Sequence, residues 1–93
     1  MNDPVIHNPG AQRFETQPAG HLAVCSYRLD GRVLVLDHTV VPAALQGQGV
    51  AARLVVAALD WARAQGFSVR PSCSYVAAYM QRHPATQDLL ETT

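Results

Sequence analysis

The sequence predicts a small α+β fold: a mainly antiparallel sheet, a βαβ-like crossover to one further strand, and two helices. Three observations carry this. Two β-rich runs, "HLAVCSYRL" and "RVLVLDHTVV", flank Asp30-Gly31, a dipeptide suited to a two-residue hairpin loop. Apolar residues then recur at three- and four-residue steps between Gly49 and Gln65, the helical period, and Gly66 follows as a stop. Next come the short apolar segment "FSVRP" and a second helical stretch, "SYVAAYMQRH", halted by Pro84.

Taken in order, residues 1–12 hold Pro4, Pro9 and Gly10 and read as an irregular lead-in. "RFETQ" (13–17) reads as a short strand closed by "PAG". If Asp30-Gly31 alone forms a type I′ loop, Leu29 faces Arg32, Tyr27 faces Leu34, Cys25 faces Leu36 and Ala23 faces His38. That row is one face of the hairpin and places His38 at its end. Val24, Val33, Val35, Asp37 and Thr39 take the other face. Pro42 ends strand pairing. On the first helix Val50, Leu54, Ala57, Ala58 and Trp61 form the stripe expected to face the sheet, leaving Arg53 and Arg63 on the solvated side. The crossover to "FSVRP" should be right-handed. In the tail, Leu89-Leu90 should pack back on the core.

A chain of 93 residues is read as one domain, 1–93. Its 48% hydrophobic and 15% charged residues exclude a disordered, solvating chain. Net charge is zero, which gives no electrostatic reason to expect nucleic acid or a membrane as partner. All seven cations are arginine, so a Schiff-base lysine and a P-loop lysine are both excluded. The first residues show no apolar run with a basic flank, and no stretch is long enough to cross a bilayer. The expectation is a cytoplasmic protein with Cys25 and Cys73 as reduced thiols. No histidines and cysteines share metal-ligand spacing, so no metal is expected.

The chemistry centres on "VPAALQGQGVAARL", residues 41–54, where a loop becomes a helix. A helix N-terminus presents unpaired amides, and glycine lets a ligand approach them, which together make an anion site without a basic side chain. Three readings compete: a tight strand-to-helix connection only, a dinucleotide fingerprint, and a third that takes in a wider window. "GQGVAA" matches G-x-G-x-x-A, but the loop is long, no acidic residue ends "FSVRP", and the chain is small for a doubly wound sheet. In the wider window "QGQGVA" has the form Q-x-x-G-x-A after a strand ending "TVVP". Here the sequence resembles the GNAT superfamily of acetyl-CoA-dependent N-acetyltransferases. With "CSYVAAYMQRHP" in order behind it, the chain resembles over residues 13–90 the small, minimal GNAT-like subgroup of the bacterial YjdJ type.

The resemblance implies a truncated GNAT-like fold in which Gly47 to Ala51, through Val50, present amides to the pyrophosphate of acetyl-CoA, while Gln46 and Gln48 shape the turn. It implies that backbone groups of Val40 and Val41 bond the pantetheine arm, and that Tyr79 or Arg82 touches the cofactor. Many GNATs use a tyrosine on this last helix as the acid; the match puts Met80 there, with Tyr79 adjacent. Cys73 stands instead at the strand-to-helix junction, where a thiol can ionise more easily and act as nucleophile; a buried structural cysteine is the alternative. His38 is the second candidate, as base or thiol partner. His83 reads as capping or packing the helix end, and Cys25 as core. Attack by the amine on acetyl-CoA directly stays open beside an acetyl-Cys73 step.

The resemblance also exposes what is missing: the usual helix pair after the first strand, and the closing strands. Those parts normally build the acceptor site, so which amine accepts, on a small molecule or a protein, is not named by the sequence, and a monomer or a homodimer is expected. A non-catalytic acyl-CoA-binding or regulatory module is the alternative from another class.

Overall fold

The computed structural model describes residues 3–92. Strands β1 (Ile6–Asn8), β2 (Arg13–Thr16), β3 (Ala23–Asp30) and β4 (Val33–Val40) precede helix α1 (Val50–Gln65). Strand β5 (Ser68–Pro71) and helix α2 (Ser74–Arg82) follow. The sheet order is β1-β2-β3-β4-β5, antiparallel except for the parallel β4–β5 pair that α1 connects. The expected α+β architecture therefore forms, with one strand more than the sequence indicated.

That strand lies in the stretch read as irregular. Ile6 pairs with Glu15, His7 with Phe14 and Asn8 with Arg13. Pro9 and Gly10, which mask the strand in the sequence, form the turn after it, where the Asn8 side chain accepts from the Ala11 amide at 3.2 Å. Packing supplies what propensity lacks. The His7 ring stacks on Phe14 at 4.3 Å and meets Trp61 at 4.5 Å, and its Nε2 lies 2.6 Å from the Tyr27 hydroxyl.

The hairpin also closes differently. Asp30 pairs with Val33 and Leu29 with Leu34, so the loop is Gly31-Arg32 rather than Asp30-Gly31. Gly31 takes φ +60°, while Asp30 stays in the strand, which fits a glycine-first II′ loop better than I′. Arg32 gives the reason. Its guanidinium donates to the carbonyls of Gln65 (2.9 Å) and Gly66 (3.2 Å) and lies over the Phe67 ring at 5.4 Å. A cation at the C-terminal end of α1 also opposes the helix dipole.

A second departure matters more for function. Leu36 faces Tyr27 and His38 faces Ser26, so Asp37 is one extra residue, a β-bulge. Because side chains alternate, the extra residue reverses the phase of everything after it. Thr39, not Leu36 or His38, then sits opposite Cys25 on the buried face, while His38 becomes exposed opposite Ser26. The Ser26 hydroxyl donates to Asp37 Oδ1 at 3.1 Å and ties the bulge to β3.

Helix α1 starts after Gly49 and ends at Gly66, both in the left-handed conformation, and the Gly66 amide returns to the last turn as expected of a stop. Val50, Leu54, Val55, Ala58, Leu59 and Ala62 are its buried residues. The stripe is thus wider than predicted, and Ala57 and Trp61 lie half-buried at its margin. Arg53 is not on a solvated side: it is half-buried and donates to the Asp3 carbonyl at 2.8 Å. Arg63 is exposed and forks onto Asp88. Leu34, Leu36 and Val69 of the sheet share one core with Leu54 and Leu59 of α1, Val76 and Met80 of α2, and Leu89 of the tail. Leu89 packs back as expected; Leu90 instead bridges Val69 along the outer edge of β5 and stays exposed.

Candidate functional site

Strands β4 and β5 pair only from Val33–Ser68 to Leu36–Pro71. Beyond that point β4 continues through Asp37 to Val40 without β5 beside it. The Cys73 amide donates to the Leu36 carbonyl at 2.9 Å, so the chain turns away into α2 at the fork, with Cys73 in its crotch.

The glycine turn sits at the open end. Leu45 anchors a single 3-10 turn, Ala43–Leu45, by burying its side chain. The Gln46 side-chain amide donates to the Val41 carbonyl (3.1 Å) and that of Gln48 to the Ala44 carbonyl (3.2 Å), so both bond within the turn. Gly47 (φ +81°) and Gly49 (φ +76°) hold left-handed turns that other residues resist. Nothing lies within 4 Å of where a Cβ would stand on either. No side chain caps the first turn of α1. Val50 and Ala51, whose amides start a sixteen-residue helix at its positive end, line the cavity beside this turn. These features fit a pyrophosphate.

Two adjoining cavities run from this turn as far as Thr39, and Cys73 lines neither of them. One of about 250 Å³ is lined by Gly47, Gly49, Val50, Ala51, Val41 and Tyr75, among others. The next, about 380 Å³, is lined by Thr39, Val40, Val41, Gln46, Ala51 and Tyr75. Phosphate-sized space thus leads along the free edge of β4 to Thr39.

Thr39 touches the nucleophile candidate. The Cys73 thiol donates to Thr39 Oγ1 at 3.5 Å, and the Thr39 hydroxyl donates to Cys25 Sγ at 3.9 Å. Burial opposes ionisation of Cys73, but the Thr39 hydroxyl and the amides of Val76, Tyr75 and Thr39 outweigh it and hold the thiol below its usual value. Cys25 is the opposite case. Burial pushes it up to about 11, so it stays a thiol at neutral pH. The two cysteines are core and junction residues, as read from the sequence.

The cofactor residues expected from the sequence separate into two groups. Val40, Val41, Gln46, Gly47, Gly49, Val50 and Ala51 line the groove. Gln48 faces away, toward a cavity shared with Asp3 and His21. Tyr79 and Arg82 line neither groove cavity: Tyr79 stacks on His83 at 3.9 Å, and Arg82 is exposed in the last turn of α2. His83 ends that helix with Nδ1 donating to the Tyr79 carbonyl at 2.8 Å, the capping role expected of it. His38 is not brought to Cys73; the bulge gives that place to Thr39. Tyr75 is the residue the sequence reading missed. It lies one helical turn before Tyr79 and two residues after Cys73, a spacing that places it in the turn nearest the fork. Among the described residues no group of three or more His, Cys, Asp or Glu side chains is arranged to hold a metal. No helix there is long and apolar enough to cross a membrane.

A family model described as GCN5-related N-acetyl-transferase matches residues 13–89. The chain belongs to this family. Protein NATD1 of Mus musculus is 37% identical over 88 residues, 91% of this chain and 80% of that protein. Protein NATD1 of Homo sapiens is 37% identical over 68 residues, 72% of this chain and 60% of that protein. An NMR solution structure from Staphylococcus aureus, described as GCN5-like, superposes with a TM-score of 0.78 at 26% identity, covering 99% of this chain and 91% of that one. The five-stranded sheet and two helices are thus a small member of the GCN5-related fold, and membership implies the use of acetyl-CoA.

Proposed function

We propose that this chain is an acetyl-CoA-dependent N-acetyltransferase of the minimal YjdJ type, one domain over residues 1–93, that passes acetyl to an amine through Cys73. The observation that carries the reading is the groove from the uncapped start of α1 to Thr39, whose hydroxyl accepts from the Cys73 thiol just behind the cavity lining. Acetyl-CoA, when bound, supplies an acetyl thioester. The amides of Val50 and Ala51 hold its phosphates, and the free edge of β4 at Val40 and Val41 aligns the arm. Tyr75 covers the groove from α2.

The Cys73 thiolate attacks the acetyl carbonyl, the bond from that carbon to the donor sulfur breaks, and the leaving thiolate takes a proton from solvent. A neutral amine then attacks acetyl-Cys73, Cys73 departs as thiolate, and the surplus amine proton passes to solvent. One acetyl group moves and no redox change occurs.

Intact-protein mass spectrometry after incubation with acetyl-CoA, on wild type and Cys73→Ala, beside a calorimetric CoA titration, tests this. An acetyl-sized gain lost in Cys73→Ala, and discharged by an added amine, is expected. CoA binding without a Cys73-dependent adduct overturns the covalent step, and an amine screen then separates direct transfer from a passive CoA module. No CoA binding overturns the whole reading.

A further inference from the structure

Thr39 and Cys25 have no role in the scheme so far, yet with Cys73 they form one chain of hydrogen-bonding groups. It runs from the half-exposed thiol at the fork, through a hydroxyl, to a thiol with no solvent exposure. We propose that Thr39 is a positioning residue whose hydroxyl switches direction to hold the Cys73 thiolate, with the fully buried Cys25 as the group behind it. This rests on the reading of Cys73 as nucleophile.

With Cys73 protonated, its S–H donates to Thr39 Oγ1 and the Thr39 O–H donates to Cys25. When Cys73 loses its proton, the acceptor at the fork becomes an anion and the donor there is gone. The Thr39 hydroxyl rotates about its C–O bond to donate to the Cys73 sulfur, and the Cys25 S–H turns to donate to Thr39 Oγ1. One proton leaves the trio, to solvent, and every remaining hydrogen keeps an acceptor. A hydroxyl suits this because it donates one hydrogen and accepts in two directions, and reverses by rotation alone, whereas a neutral histidine at this position would have to exchange tautomers.

The surroundings leave Cys25 no competing role. It is buried between β2 and β4, opposite Phe14 and Thr39, and Asp37 and Cys73 act on it in the same sense, against ionisation. The groups facing Cys73 are Thr39 from β4, Cys25 through it, and the amides of Tyr75 and Val76 from α2; no charged side chain is among those that set its ionisation. The Thr39 hydroxyl is thus the side-chain group placed to donate to this sulfur once it ionises. The Asp37 bulge is what delivers it, since without the extra residue Thr39 would point from the other face of the sheet.

The test is the pH dependence of iodoacetamide alkylation at Cys73, read peptide by peptide so that Cys25 is followed separately. It is run on wild type, Thr39→Val, Thr39→Ser and Cys25→Ala without CoA. Removing a hydrogen bond to a charged group should lower the thiolate fraction near neutral pH about tenfold. A more basic thiolate attacks faster, so the alkylation rate should fall only about threefold. Thr39→Val should therefore move the profile to higher pH, Thr39→Ser should restore it, and Cys25→Ala should move it the same way by less. A Thr39→Val profile that superposes on wild type overturns the proposal, as does a Thr39→Ser profile that follows Thr39→Val. The assay uses no acetyl-CoA, so a failed acetyl adduct condemns the transfer reading alone, and an unmoved profile condemns the relay alone.

Discussion

Two glycines at the ends of α1 offer a matched pair for testing the groove. Gly49 has φ 76°, ψ 13° and Gly66 has φ 75°, ψ 24°, so alanine meets nearly the same left-handed backbone at both. That conformation costs a non-glycine residue about 1–2 kcal/mol, offset by roughly 0.4–1 kcal/mol from the stiffer unfolded chain. Gly49→Ala should therefore lose about 1 kcal/mol, because nothing lies within 4 Å of the new Cβ. At Gly66 the Cβ would stand 3.0 Å from an Arg32 guanidinium nitrogen, the atom that donates to Gln65 and Gly66. Moving it sacrifices exposed hydrogen bonds, so Gly66→Ala should lose about 2 kcal/mol in all. For a domain of this size that means a drop of very roughly 4–8 °C against about twice as much. The order should reverse for ligand. Gly49 lines the groove, and a methyl there should weaken CoA tenfold or more by displacing a phosphate from the amides, whereas Gly66→Ala should bind as wild type. Thermal melts beside CoA titrations read both. If affinity follows stability, with Gly66→Ala the weaker binder, the turn is not the phosphate site.

Burial holds the His7 imidazole below its ordinary value. A depressed histidine favours the folded state fully above its unfolded pKa, and that favour is lost as pH falls through the folded pKa, because the unfolded chain binds the proton first. Wild-type melting temperature should thus begin to fall as pH drops below about 6.5, before the carboxylates of Glu15, Asp88 and Glu91, all held low chiefly by arginine partners, lose their contributions. His7→Phe should be flat between about pH 7.5 and 5, from a lower plateau because the Tyr27 hydroxyl loses its partner; equal slopes in the two proteins would refute the assignment. On α2, Tyr75→Ala should weaken CoA binding while Tyr79→Ala leaves it within about twofold, since only the former lines the groove; calorimetry with equal losses, or the reverse order, would reject that lining.

What the sequence disclosed and what it withheld divide along a physical line. Local signals were enough for α1, whose apolar period and glycine stop set both ends, and for α2, halted at Pro84. They were enough, too, for the glycine turn, because positive φ at Gly47 and Gly49 is a requirement written into the residue type. Features decided by contacts between distant segments were not legible. Ile6–Asn8 becomes a strand because His7 completes an aromatic cluster with Phe14, Tyr27 and Trp61, while its neighbours Pro9 and Gly10 advertise a turn. The hairpin loop shifts by one residue because Arg32 serves the end of α1, thirty-odd positions away.

The bulge at Asp37 shows why the site was harder to read than the fold. Along a strand, facing is a parity: each residue is in or out according to how many precede it. Composition and alternation leave that parity intact on either side of an inserted residue, so "VLVLDHTV" looks regular whether or not one position is skipped. The fold tolerates both phases, since β4 pairs with β3 before and after the bulge. The chemistry does not. A change of one in the count replaces an imidazole by a hydroxyl beside the only half-exposed thiol among the described residues, and so decides which proton-handling group Cys73 meets. A shift that costs the sheet one ladder position thereby selects the partner of the nucleophile.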